Sequence, residues 1–304
     1  MATKEKIFIT GANGLLGQKL VAQLVEEGKF EVLASGRGEC RLPGDGFTYV
    51  SLDITDRESV EEVFQKYQPN TVIHGAAMTQ VDDCEKDREA CYLANVTATE
   101  NLIGAAERVK SHFIFVSTDF IFSGEKGPLT EDEEPNPVNY YGESKLIAEQ
   151  KLIASSLKWA IARTVLVYGI AHDMSRTNII LWVKKSLEEG KTIQVVDDQF
   201  RTPTLAEDLA AGCILIANQK AEGVYNISGE DFLTPLDMAL MTADYFGLDK
   251  SLIKKADSST FTQPAKRPAK TGFIIEKAKN ELGFQPKTFR AGIAILAKQI
   301  ILAR

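Results

Sequence analysis

The chain has 304 residues, room for one large fold or two domains at roughly 150 residues each. Its 44% hydrophobic and 25% charged content are ordinary globular values and exclude collagen-like, disordered and disulfide-scaffold classes. With 35 Lys+Arg against 42 Asp+Glu the net charge is −7, which argues against a surface for nucleic acid or anionic membrane, so any anionic ligand must be held by local groups.

The cysteines, Cys40, Cys84, Cys91 and Cys213, form no Cys-x-x-Cys pair and no metal-ligand spacing with His74, His112 or His172. No metal site is expected. The start Met1-Ala-Thr-Lys-Glu-Lys leads into only Ile7-Phe8-Ile9 before Thr10, too short for a signal-peptide core. No run reaches the roughly 18 apolar residues of a membrane span. The expectation is a cytoplasmic protein with reduced thiols.

In chain order, short β-branched runs predict strands at Lys6–Thr10, Glu31–Ala34, Thr48–Ser51, Thr71–His74, His112–Ser117 and Trp159–Thr164. Between them the spacing predicts helices over Leu15–Glu27, Arg57–Tyr67, Glu85–Leu93 continuing through Val96–Val109, and Tyr140–Ser155. Thr55-Asp-Arg-Glu58 matches a capping box for the second helix. A polar, Pro-rich loop fills Gly127–Asn139. Beyond it come a helix Asn178–Glu189, a strand Thr192–Val196, a helix Leu205–Ala217 and a strand Gly223–Ile227. Helical stretches follow near Pro235–Phe246, Ile275–Leu282 and Arg290–Ala303. Strand–helix alternation of this kind implies a doubly wound α/β fold with a parallel sheet.

Thr10-Gly11-Ala-Asn13-Gly14-Leu15-Leu16-Gly17 stands where the first strand ends and a helix begins. Glycines there allow a tight turn and close approach of the backbone to a pyrophosphate, and the helix start offers free N–H groups. The pattern is that of a Rossmann-type dinucleotide site. The second strand ends at Ser35-Gly36-Arg37 with no carboxylate to hold a ribose 2′-hydroxyl, and Arg37 suits a 2′-phosphate. NADPH is therefore the expected cofactor, with NADH left open by Glu39.

Tyr141 and Lys145 are four residues apart and share a helix face. A nearby ammonium lowers a phenol's pKa, so the pair predicts a general acid for a carbonyl oxygen. The strand before it delivers Ser117-Thr118-Asp119 at its carboxyl end, where ligands bind in such sheets.

Taken in order, Thr10-Gly-x-x-Gly-x-x-Gly17, Gly75-Ala76-Ala77, Ser117-Thr118-Asp119 and Tyr141-Gly-Glu-Ser-Lys145 resemble the extended short-chain dehydrogenase/reductase family over essentially the whole chain. Within it, Phe115–Gly124, Tyr141–Glu149, Val196–Thr204, Arg267-Pro and Leu282–Pro286 look most like the dTDP-4-dehydrorhamnose reductases. The resemblance implies hydride delivery to C4 of a nucleotide-linked 4-keto-6-deoxyhexose. It makes Tyr141 the proton donor, Lys145 its tuning partner and ribose ligand, and Thr118 a donor to the reacting carbonyl. It places Asp53 and Ile54 at the adenine, Ala76 and Ala77 beside the cofactor, and Asp119, Arg201 and Arg267 at the substrate, the arginines reaching its diphosphate. Arg201 departs from the glycine usual in those reductases. The implied division is a cofactor domain over residues 1–165, with 190–227 returning to it, and a smaller mixed α/β substrate region from 166–189 and 228–304. A homodimer is left open.

Two other readings use the same residues. A sugar-nucleotide epimerase or dehydratase would keep a tightly bound NAD, and lacks here the strand-tip Asp and the Asp-Glu pair after Thr118. A non-catalytic cofactor-binding protein resembles the regulatory β subunit of methionine adenosyltransferase, which the Thr202-Pro-Thr204 segment also suggests.

Overall fold

A computed structural model describes residues 4–173, 177–261 and 263–302. Seven parallel strands form the central sheet: β1 (Lys6–Thr10), β2 (Glu31–Gly36), β3 (Phe47–Ser51), β4 (Thr71–His74), β5 (His112–Thr118), β6 (Lys158–Thr164) and β10 (Gly223–Asn226). Their spatial order is β10-β6-β5-β4-β1-β2-β3, so the direction of winding reverses between β1 and β4. A crevice forms outside the carboxyl ends of the strands at such a reversal.

Both faces are covered, which is why the strands read as continuous apolar runs rather than alternating ones. On one face α1 (Leu15–Glu27) and α8 (Ala206–Gln219) pack Leu20, Leu24, Leu209 and Cys213 against Ile7, Ile9 and Ile114. On the other, α2 (Arg57–Tyr67), α5 (Ala98–Val109) and α6 (Tyr140–Ile153) enclose Phe8, Phe64, Phe113, Phe115 and Leu152. The first six strands and the first two helices lie where the periodicity predicts them.

Three expectations change. The second helix is capped by Asp56, which accepts from the Glu58 and Ser59 amides, and not by a Thr55–Glu58 box. A shorter cap one residue later serves the same orphan N–H groups. The full capping box is at Thr234 and Asp237, opening α9 (Pro235–Phe246). The long third helix divides into α3 (Val81–Lys86), α4 (Arg88–Tyr92), a wider π-type turn at Leu93–Thr97 and then α5. Asp87 breaks it by capping Ala90.

The third change concerns the tail. Of residues 190–227, α8 and β10 return to the central sheet, but β8 (Ile193–Val196) pairs with β11 (Ile253–Ala256) in a small sheet of its own. That sheet packs with α7 (Ile179–Glu188) and α9 around Val183, Val195, Ala239 and Ile253. A second pair joins β7 (Val167–Tyr168) to β9 (Thr204–Leu205). The π-type turn Ala278–Leu282 replaces most of the expected 275–282 helix, and α10 (Phe289–Leu302) closes the described chain. Ala303, the expected last helical residue, lies outside the described residues. No described helix is long and apolar enough to cross a membrane.

Candidate active site

One cavity of about 1290 Å³ runs along the carboxyl edge of the sheet. It gathers Gly11, Gly14, Gly17, Arg37, Asp53, Ile54, Ala76, Ala77, Thr118, Asp119, Tyr141, Lys145, Arg201 and Arg267, so residues separated by 256 positions in sequence share one wall. Among the described residues no cluster of His, Cys, Asp or Glu could hold a metal.

The glycine-rich turn is built as the sequence requires. Gly14 stands at the N-cap of α1 without a side-chain cap, which leaves the Leu15 and Leu16 amides for a ligand. Gly11 takes a left-handed φ of 73°, and a Cβ there would meet Ala76 N at 3.0 Å. A Cβ on Gly17 would lie 2.3 Å from the Gly11 carbonyl oxygen. Only glycine lets helix and strand approach this closely. Asp53 lies across the cavity, its carboxyl held below the usual range by hydrogen bonds from Thr55 and by nearby Arg37. A free helix start, small Ala76 and Ala77 and a polar adenosine end fit a dinucleotide.

Two expected cofactor ligands are engaged differently. The Ser35 hydroxyl donates to the Ile9 carbonyl at 3.2 Å, so this buried side chain contributes wall rather than a free donor. Asn13 directs its amide at the loop after β2, donating to Glu39 O at 3.0 Å and Tyr49 Oη at 2.9 Å and accepting from Arg41 N at 2.9 Å.

The catalytic helix is fixed at its start. Asn139 caps it by accepting from Gly142 N at 2.9 Å, and Gly142 passes so close to Phe120 that a Cβ would sit 2.0 Å from its carbonyl oxygen. Tyr141 is buried against Cys84, Cys91 and Phe120. Lys145 Nζ donates to Val116 O at 2.8 Å and lies 3.9 Å from the centre of the Phe115 ring.

Here the expected electrostatics are reversed. Burial, with the Asp119 carboxyl nearby, pushes the Tyr141 phenol up, and burial pushes Lys145 down to about 7, opposed by Glu149 and Cys91. Lys145 is turned to a carbonyl and does not lower the phenol. A tyrosine kept protonated is nonetheless in the form a proton donor needs.

Thr118 also differs from expectation. Its hydroxyl donates to Asp119 Oδ1 at 3.2 Å and accepts from Phe120 N at 3.3 Å. A hydroxyl has one proton, so donation to a reacting carbonyl requires this one to turn from Asp119. Arg201 is only 5% exposed, and its guanidinium donates to Phe200 O at 2.7 Å, Ala269 O at 3.1 Å and Pro268 O at 2.5 Å, with Nε 3.6 Å from Asp119. The expected diphosphate role does not fit donors so fully engaged. Arg267 forms a bidentate pair with Asp82 at 2.6 and 2.8 Å, at the cavity rim.

Sequence reasoning missed the supports. Asn95, in the π-type turn, donates to Ser144 Oγ at 2.9 Å and Met78 O at 3.1 Å and accepts from Met78 N at 2.7 Å, joining the Ala76–Ala77 segment to the catalytic helix. A buried amide inside an apolar helical pattern was its only signal. Glu149 and Arg163, 1% and 5% exposed, form a bidentate pair beneath Lys145.

Residues 5–301 match the family described as RmlD substrate binding domain. The chain belongs to that family. It is 32% identical over 291 residues to the probable low-salt glycan biosynthesis reductase Agl14 of Haloferax volcanii, covering 95% of this chain and 96% of the relative. It is 31% identical over 254 residues to methionine adenosyltransferase 2 subunit beta of Xenopus tropicalis, covering 82% and 74%. The crystal structure of dTDP-4-dehydrorhamnose reductase from Bacillus anthracis in complex with NADP superposes with a TM-score of 0.86 at 27% identity, covering 98% of this chain and 100% of that one. This RmlD-family chain is thus an NAD(P)H-dependent oxidoreductase with a Rossmann-type sheet, similar to the dTDP-4-dehydrorhamnose reductases.

Proposed function

We propose that this protein reduces the 4-keto group of a nucleotide-linked 6-deoxyhexose in the cytoplasm, in the manner of dTDP-4-dehydrorhamnose reduction on the route to dTDP-L-rhamnose. The observation that carries this reading is the single cavity joining the glycine-rich turn, Tyr141 with Lys145, and the tail residues around Arg267.

When bound, a reduced nicotinamide would supply the hydride for C4 and leave oxidised. Gly11 to Gly17 and Ala76 and Ala77 would cradle the dinucleotide, with Asp53 and Ile54 toward its adenine. Tyr141 donates its phenolic proton to the C4 oxygen, an alkoxide being a much stronger base than the phenolate left behind. Lys145 leaves the Val116 carbonyl to hold the nicotinamide ribose. Thr118, released from Asp119, steadies the carbonyl oxygen. Arg267 reaches the diphosphate by exchanging one oxygen of Asp82 for a phosphate oxygen, a geometry its planar fork permits.

The test mixes purified protein with NADPH or NADH and dTDP-4-keto-6-deoxymannose and follows loss of reduced-nicotinamide absorbance. Stoichiometric oxidation is expected. No oxidation, with NAD co-purifying, would instead favour an epimerase. No oxidation with cofactor freely exchanging would favour the non-catalytic role of the methionine adenosyltransferase subunit, a reading supported by the 31% identity to that relative.

A further inference from the structure

Gln18 is polar and sits in the first turns of α1, yet it is only 7% exposed. Its side chain folds back toward the helix start. Nε2 donates to Asn13 O at 3.2 Å and to His172 O at 2.9 Å, and Oε1 accepts from His172 N at 2.8 Å. Two carbonyls and one N–H admit only this orientation of the side-chain amide, and three of its four hydrogen-bonding positions are filled. The helix itself does not ask for these bonds. Its first backbone link, Gln18 N to Gly14 O at 3.0 Å, is made whatever the side chain.

Both segments that Gln18 joins belong to the cavity wall, and Gln18 stands behind it. On one side are Asn13 to Gly17, with the uncapped start of α1. On the other are Ala171, His172 and Asp173, which follow β7. The chain approaches that second side close over the helix: a Cβ on Gly169 would lie 3.2 Å from Leu15 Cδ1 and 3.0 Å from the Ala206 Cβ. One buried amide therefore ties the anion-binding end of α1 to a stretch of wall more than 150 positions away in sequence.

We infer that Gln18 is a positioning residue of the cofactor site: it hangs Ala171–Asp173 from the glycine-rich turn, so that this part of the wall is in place before the dinucleotide arrives. This rests on the dinucleotide reading above and adds to it the residue that couples the turn to the segment after β7. A wall set in advance spares the ligand the cost of ordering it, and its loss is felt mainly in dissociation. The coupling is reciprocal, so a dinucleotide on the turn also steadies the segment.

The test makes two measurements on the full chain and on Gln18→Met, a side chain of similar length that cannot bridge. By nicotinamide fluorescence the variant is expected to bind NADPH and NADH each about tenfold more weakly, most of the loss being a faster dissociation. Unchanged affinity, or a loss for only one of the two, overturns the inference, because the pyrophosphate is common to both. By hydrogen exchange, saturating NADPH is expected to slow the His172 amide about tenfold in the parent and less than about twofold in Gln18→Met. A purely structural tie would leave the exchange of this amide in the parent independent of cofactor, and that result overturns the inference even where the variant does not fold. A parent that binds neither dinucleotide overturns the cofactor reading as well.

Discussion

The carboxylate of Asp119 accepts a hydrogen bond from the Thr118 hydroxyl at 3.2 Å and faces the Arg201 guanidinium at 3.6 Å, with Thr271 donating to its other oxygen. Strand β5, the loop before β9 and the tail thus meet at one buried charge. Burial pushes the Asp119 carboxyl up, and Arg201, Thr271 and Thr118 pull it back. Arg201 belongs to this cluster, and it also ties Phe200, Pro268 and Ala269 together through their carbonyls.

Replacing Arg201 by Ala then strands a buried carboxylate and three carbonyls. The expected cost is about 3–5 kcal/mol of stability, read from the urea midpoint. The double variant Asp119→Asn, Arg201→Met, which removes both charges, is expected to recover much of that loss. A diphosphate ligand would behave otherwise. If Arg201→Ala keeps the midpoint and raises only the KM for the sugar nucleotide, the arginine binds substrate and its buried pairing is incidental.

Tyr141→Phe removes the phenolic proton and keeps the ring that packs on Phe120. Turnover is expected to fall about 10²–10⁴-fold, the usual worth of a positioned acid. NADPH affinity, measured by quenching of nicotinamide fluorescence, should change little, because the glycine-rich turn carries most of that binding. A variant that turns over as fast as the parent would move the acid elsewhere.

How much of this was legible in the sequence depends on whether the signal was local. Gly11, Gly14 and Gly17 could be read because strand, turn and helix are contiguous, and the Tyr141–Lys145 pair because it is one helical turn. The direction in which Lys145 points was not, since the Val116 carbonyl that holds it lies on another element. The same is true of Arg201, whose partners at 119 and 268–269 are far away in sequence. The pairing partner of the strand at Thr192–Val196 was not legible for a related reason. Residues Thr192–Val196 have strand character, but only the packing of α7 and α9 decides that they pair with β11 instead of the central sheet.

Gly142→Ala tests how tightly the catalytic helix is seated. The added methyl would stand 2.0 Å from the Phe120 carbonyl oxygen, a backbone atom that cannot step aside alone. Helix α6 must back away from the end of β5, at a cost of about 1–3 kcal/mol for overpacking. A displacement near 1 Å at Tyr141 is expected to reduce turnover about 10²-fold. Retained activity with an unchanged melting temperature would mean the helix start is looser than this contact requires.

His74 gives the chain a defined acid limit. Its Nδ1 lies 2.7 Å from Thr10 Oγ1 and its Nε2 3.0 Å from Thr99 Oγ1. Thr99 gives its only proton to Asn95 O, so Nε2 carries the ring proton and Nδ1 accepts from Thr10, which in turn accepts from Ala76 N. No acceptor remains for a second ring proton. Burial, aided by the Lys145 charge, pushes this imidazole down from 6.5 to about 3. The sign follows directly. Below 6.5 the unfolded chain binds a proton that the folded chain refuses until about pH 3, so stability falls as pH falls through that window. The slope from this group is about 1.4 kcal/mol per pH unit. His74→Gln, which can still donate and accept but does not titrate, is expected to lose stability at pH 7 and to show a shallower decline between pH 6.5 and 4.5. Urea midpoints of both proteins across that range decide the matter, and parallel declines would remove His74 from the acid response.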